Sequence, residues 1–181
     1  LRQAARLASS FYGDESIGDL DYVTCAARTD GGAQGGELMS QSWPAFVDRF
    51  GHGLSKECLK FGELYVENHR KFVMRYTGPK TLSHGDFRSE NLLYHAGSAT
   101  VVDWQTVTQS SALTDAAYFL GGSVDVAPRR EWEKSLLQDY AKWLSLGAVD
   151  ISEQDCWDQY REFAMHGIMI TVLGAVFTAA E

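Results

Sequence analysis

The spacing of three residues constrains this chain more than anything else in it. Asp86 is followed five residues later by Asn91, and Asn91 twelve residues later by Asp103. Between the last two, Leu92-Leu93-Tyr94-His95 is a short apolar run, Ala96-Gly97-Ser98 supplies a turn, and Ala99-Thr100-Val101-Val102 is rich in β-branched residues. That pattern predicts a β-hairpin, which returns the chain to its start and sets Asp103 beside Asn91. Ahead of the loop His84-Gly85-Asp86-Phe87-Arg88-Ser89-Glu90-Asn91, the residues Thr81-Leu82-Ser83 fit the end of a strand.

Brought together, these groups suit one kind of chemistry. An aspartate on a tight loop can orient a hydroxyl, while an asparagine amide oxygen and a second aspartate can hold a cation. Magnesium prefers oxygen ligands and usually takes only one or two from protein, leaving the rest to water and phosphates. Phosphoryl transfer needs little more than such positioning and neutralisation of phosphate charge. Singly the residues say less, since His-Gly-Asp is often a turn and an Asp after Val-Val is common in α/β proteins; their order and spacing carry the reading. His84 reads as structural, its ring bonded to backbone. Arg88 reads either as a phosphate contact or as the partner of a nearby carboxylate. Thr114-Asp115 opens an apolar helix, where the dipole favours a carboxylate, so Asp115 reads as a scaffold residue.

At these residues the sequence resembles the aminoglycoside phosphotransferase and choline kinase-like family of the protein-kinase-like fold. Its members show H-G-D-x-x-x-x-N-L-L, then a hairpin ending in D-W or D-F, then a D-x-A-Y-F-like helix start. Here these are residues 84–93, Asp103-Trp104 and Asp115-Ala116-Ala117-Tyr118-Phe119. The resemblance implies an α+β fold, the mostly helical C-terminal lobe of a kinase-like enzyme with a small hairpin carrying the catalytic and metal-binding loops. It further implies Asp86 as the catalytic base, Asn91 and Asp103 as magnesium ligands, Arg88 near the nucleotide, His84 and Asp115 as supports, and ATP and Mg2+ as cofactors. The acceptor would be a hydroxyl of a small molecule.

The other half of such an enzyme would supply a phosphate-covering hairpin, a strand lysine and a helix glutamate, and nothing ahead of Asp86 matches them. The glycine-rich residues 30–37 lack the G-x-G-x-x-G spacing and read as a flexible loop. Residues 1–181 are therefore expected to form a single C-terminal lobe, without its nucleotide lobe and cut short at its own C-terminus. An apolar face left open by that ending predicts self-association.

Composition agrees with one compact lobe. The 181 residues are 45% hydrophobic, 22% charged and 12% aromatic, enough for one sizeable core. A net charge of −8 argues against affinity for nucleic-acid backbone or an anionic membrane, and leaves room for a cationic substrate. Cys25, Cys58 and Cys156 are odd in number and lack C-x-x-C spacing, which fits free thiols in a reducing cytoplasm.

Helices are expected up to about residue 12, over 39–50, 55–76 and 114–121, and from 129 to about 146 after Pro128. In the last of these Trp132, Leu136, Leu137, Tyr140 and Leu144 recur at helical spacing and read as core. Residues 163–180 are nearly all apolar. They fall short of the about 20 that a bilayer needs and carry His166, so a buried helix is expected rather than a span.

The function these features imply is an ATP-dependent phosphotransferase lobe moving the γ-phosphate to a small-molecule hydroxyl. A catalytically inactive kinase-like fragment kept as a binding or assembly module is the alternative. A metal-dependent hydrolase using His84 and Asp86 ranks last, for want of further ligands at motif spacing.

Overall fold

The computed structural model describes residues 1–25 and 33–177, which divide into two compact units. Among the described residues the first comprises residues 1–25 and 78–166, the second residues 33–77 and 167–177. Helices predominate, and the fold is α+β with small sheets.

In the first unit, helix α1 (Arg2–Ser10) buries Ala4, Ala5 and Ala8. These small side chains let it lie close against strand β2 (Thr81–Ser83), where the Thr81 hydroxyl donates to the Ala8 carbonyl at 2.6 Å. The strand expected before the polar loop is thus present. It pairs antiparallel with β5 (Thr108–Ser110), Ser83 opposite Thr108, and β5 pairs on its other edge, in parallel, with β1 (Thr24–Cys25). The hairpin expected after the loop is β3 (Leu92–His95) and β4 (Ser98–Val101), in register from Leu92 opposite Val101 to His95 opposite Ser98. Its two turn residues, Ala96 at φ 47° and Gly97 at φ 76°, both take the left-handed conformation that matches strand twist in a two-residue turn.

The core of this unit lies between α1, α4 (Thr114–Gly122), α5 (Val126–Leu146) and α6 (Glu153–Phe163). Leu137, Tyr140, Ala141 and Leu144 form one stripe at helical spacing and are buried, whereas Trp132, expected in the core, is 49% exposed. Tyr140 has its ring in the core and its hydroxyl on the Ala112 carbonyl at 2.6 Å, the arrangement a buried phenol requires. Helix α5 begins three residues before Arg129. Pro128 fits its first turn because the first four N–H groups of a helix lack partners in any case. Helix α6 was not among the expected elements. Its signal is Ser152-x-x-Asp155, where the Ser152 hydroxyl accepts from the Asp155 N–H at 3.0 Å and caps the helix.

The apolar stretch 163–180 is not one helix. Phe163 closes α6 and a new helix, α7 (His166–Phe177), starts after a break; residues 178–180 lie outside the described ones. No described helix is long and apolar enough to cross a membrane.

In the second unit, α2 (Ala33–Phe50) and α3 (Lys56–Met74) form a helical hairpin. The Ser55 hydroxyl caps α3 by accepting from Cys58 N–H at 3.2 Å. Helix α2 starts six residues earlier than expected and takes in Gly35 and Gly36, so this part of the glycine-rich stretch is not loop; residues 26–32 lie outside the described ones. Both glycines sit against the His69 ring: a Cβ at Gly35 would press on it at 3.2 Å, and one at Gly36 would meet it at ordinary contact distance. Gly62 stands likewise against the Trp43 indole, which stacks on Phe46 with centroids 5.5 Å apart.

Gly62→Ala is expected to destabilise this helix pair. The methyl would gain about 1 kcal/mol in helix propensity, but its carbon would lie 2.6 Å from Trp43 Cζ2. Overpacking of that kind costs about 1–3 kcal/mol. A lower midpoint in thermal unfolding followed by circular dichroism is the expected result; an equal or higher one would show that Trp43 swings aside freely.

Candidate active site

The polar loop is anchored from beneath by one carboxylate. Asp115, buried in the first turn of α4, accepts the His84 N–H on Oδ2 at 2.7 Å and the Gly85 N–H on Oδ1 at 3.0 Å. Burial pushes its carboxyl up, while the two N–H bonds pull it back. Gly85 has φ 84°, and a side chain there would run into the Thr106 carbonyl, so the close turn of the loop requires glycine.

His84 ties the loop to the hairpin. Its fully buried ring meets the Val102 carbonyl through Nε2 at 2.9 Å, and its Nδ1 accepts the Asp86 N–H at 3.3 Å. The two bonds require a neutral ring with the proton on Nε2. The Trp104 ring stands edge-on to it at 4.9 Å, and the Thr106 hydroxyl donates to the His84 carbonyl at 3.1 Å. One imidazole thus joins the residues just before Asp86 to the residue just before Asp103.

Asp86 and Asn91 face each other across the loop. Asn91 Nδ2 donates to both the Asp86 carbonyl at 2.9 Å and Asp86 Oδ2 at 3.0 Å. Two acceptors on one side settle which end of the amide is nitrogen, and its oxygen is the end left over for another partner. Arg88 pairs with the same aspartate, Nε to Oδ2 at 3.3 Å, so of the two partners open to it Arg88 takes the carboxylate here. Both groups keep water contact, and such a pair adds no more than about 1 kcal/mol.

The hairpin brings Asp103 back as expected. Its first rung pairs Leu92 with Val101, and the Val102 N–H donates to the Asn91 carbonyl at 3.0 Å. Asp103 follows at φ 64° and ψ 66°, a left-handed conformation that aspartate tolerates better than most residues, with its side chain exposed. Such backbone is costly for a residue with a Cβ and is found where a side chain must be aimed.

Two residues at this site were not read as part of it. Tyr118 lies one helical turn beyond Asp115, and His166 opens α7; their rings meet edge-on at 5.8 Å, and His166 Nε2 lies 3.4 Å from the Gly85 carbonyl. Burial lowers the His166 pKa, against the opposite pull of the Gly85 bond and the Asp86 charge. The available signals were faint: Tyr118 shares a helix face with Asp115, and His166 is the one ionisable group of an apolar stretch.

A mostly helical layer carrying such a loop and hairpin has the architecture of a kinase-like C-terminal lobe, the class of protein that fold and site define. A model of the ecdysteroid kinase-like family matches residues 28–148. The chain belongs to the ecdysteroid kinase-like family, within the protein-kinase-like superfamily. The superfamily read from the motif stands, while the match names this family and not the aminoglycoside phosphotransferase or choline kinase branch. No curated protein and no solved structure matches the chain.

Proposed function

We propose that the chain carries the catalytic loop of an ATP-dependent phosphotransferase that moves the γ-phosphate to a hydroxyl group of a small molecule. The observation that carries this reading is the division of labour within Asn91. Its amide nitrogen is committed to Asp86, so the oxygen is the end free for a hard cation, on a loop that the hairpin joins to Asp103. Among the described residues no three His, Cys, Asp or Glu side chains gather as a metal cage. The donor set of one amide oxygen and one carboxylate suits magnesium, which takes few ligands from protein. Asn91 and Asp103 would hold it, and it would supply neutralisation of phosphate charge.

The chain's own residues do the rest. Asp86, held through Oδ2 by Asn91 and Arg88, offers its carboxylate to the acceptor hydroxyl and takes its proton as the oxygen attacks the γ-phosphorus and the bond to the bridging oxygen breaks, releasing ADP. Asp115 and His84 keep that carboxylate in place by pinning the backbone on either side of Gly85. The family's name makes an ecdysteroid the acceptor to try first.

Asp103→Asn tests the cation site. Asparagine accepts the left-handed backbone at least as well as aspartate, so the variant should fold like the wild type. It replaces a charged ligand with a neutral one, and magnesium-dependent ATP binding measured by calorimetry should weaken about tenfold or more. Equal affinity in a folded variant would remove Asp103 from the cation site.

A further inference from the structure

Asp86 is held on one side only. Oδ2 takes Asn91 and Arg88, but Oδ1 is fully buried and has no hydrogen-bond partner among the described residues. A buried carboxylate oxygen without a donor is unfavourable and calls for a specific partner. Tyr118 is placed to be that partner. Asp115 fixes which face of α4 looks onto residues 84–86, and Tyr118 lies three residues further on that same face. The His166 ring touches both the Gly85 carbonyl and the Tyr118 ring, so phenol and loop bracket one imidazole. Burial first, and then the charge of Asp86 and a hydrogen bond toward it, push the phenol up to about 12, which keeps it a donor at neutral pH. Besides Asp86 and His166, the ionisable groups facing it are Arg88 and Glu90.

We propose that Tyr118 is the positioning residue of Asp86: its hydroxyl donates to Oδ1, and His166, set between the phenol and the Gly85 carbonyl, holds the ring at the angle this bond needs. Oδ1 is then spoken for, and Oδ2 is the oxygen turned to the acceptor hydroxyl. The catalytic meaning of this contact rests on Asp86 being the base, whereas the contact itself does not.

The whole chain labelled with tyrosine carrying 13C at Cζ gives the test. The Tyr118 resonance, assigned by its loss in Tyr118→Phe, should move in Asp86→Ala while those of the other tyrosines stay. Its hydroxyl proton should exchange slowly with water in the wild type. Asp86→Asn has the shape of the native residue but, with its amide oxygen on Asn91 and Arg88, turns an NH₂ donor to the phenol in place of an acceptor; should the alanine variant fail to fold, it should also move the Tyr118 resonance. A Tyr118 signal indifferent to residue 86, with a fast-exchanging hydroxyl, would overturn the proposal and leave Oδ1 to a buried water.

In turnover assays with an ecdysteroid acceptor, Tyr118→Phe should lower kcat about tenfold with the acceptor KM unchanged, the mark of a misplaced base and not of lost binding. An unchanged kcat beside an inactive Asp86→Asn would also overturn it. A wild type without turnover would count against the phosphotransferase reading and not against the contact, which the carbon spectrum decides alone.

Discussion

Asp86→Asn should lower turnover by about 10²- to 10⁴-fold, the range that a positioned general base contributes. The substitution preserves shape, and the surroundings can accept it. Its amide oxygen can take over the Asn91 Nδ2 and Arg88 Nε contacts now made by Oδ2, and its NH₂ group then occupies the buried Oδ1 position. Folding and magnesium-dependent ATP binding should therefore stay close to those of the wild type. Only the ability to take a proton from the acceptor is lost. The informative measurement is single-turnover transfer at saturating ATP, because it separates chemistry from product release. Transfer within about threefold of wild type would rule out Asp86 as the base. Loss of ATP binding together with transfer would mean that the residue organises the cation site instead.

The largest effect on stability is expected at Asp115, from Asp115→Ala. In its absence the His84 and Gly85 N–H groups, now bonded at 2.7 and 3.0 Å, have no acceptor in a buried setting. Each unsatisfied buried group costs about 1–3 kcal/mol. A partial offset comes from no longer burying a carboxylate, the strain that shows in its raised pKa. A net loss of about 3 kcal/mol is expected, because the offset applies to one group and the penalty to two. Asp115→Asn should recover only part of it, since an amide presents one acceptor and turns a donor toward the second N–H. Urea unfolding followed by tryptophan fluorescence measures both, with the midpoint falling and the slope unchanged. A loss under about 1 kcal/mol would show that the loop is held by His84 and Gly85's other contacts and not from beneath.

These two residues also mark how far the sequence could be read. Asp115 was legible as a carboxylate in the first turn of an apolar helix, a local rule about helix dipoles. That it reaches back across about thirty positions to the backbone of His84 and Gly85 came only by resemblance. The hairpin was legible because strand alternation and turn residues act over a few positions. Helix α2 was drawn too short because glycines were read for their backbone freedom alone; against the His69 ring their missing side chains matter more. The apolar run 163–180 was taken as one buried helix, whereas α7 buries only Val172 among its described residues and hydrophobicity does not show where a helix breaks.

By itself, the sequence determined what short-range physics can set: a tight glycine turn before Asp86, an asparagine within reach of it, a two-residue hairpin that returns the chain to Asp103, and helices with apolar stripes. Only the tertiary structure decided that His166 stands between Tyr118 and the Gly85 carbonyl, that β5 lies between β1 and β2, and that His84 bridges the loop to Val102. The physical reason is the range of the interactions. Turn geometry and helical periodicity are written in neighbouring residues, whereas a contact between positions 85, 118 and 166 depends on how whole helices pack, and many different sequences satisfy the same packing.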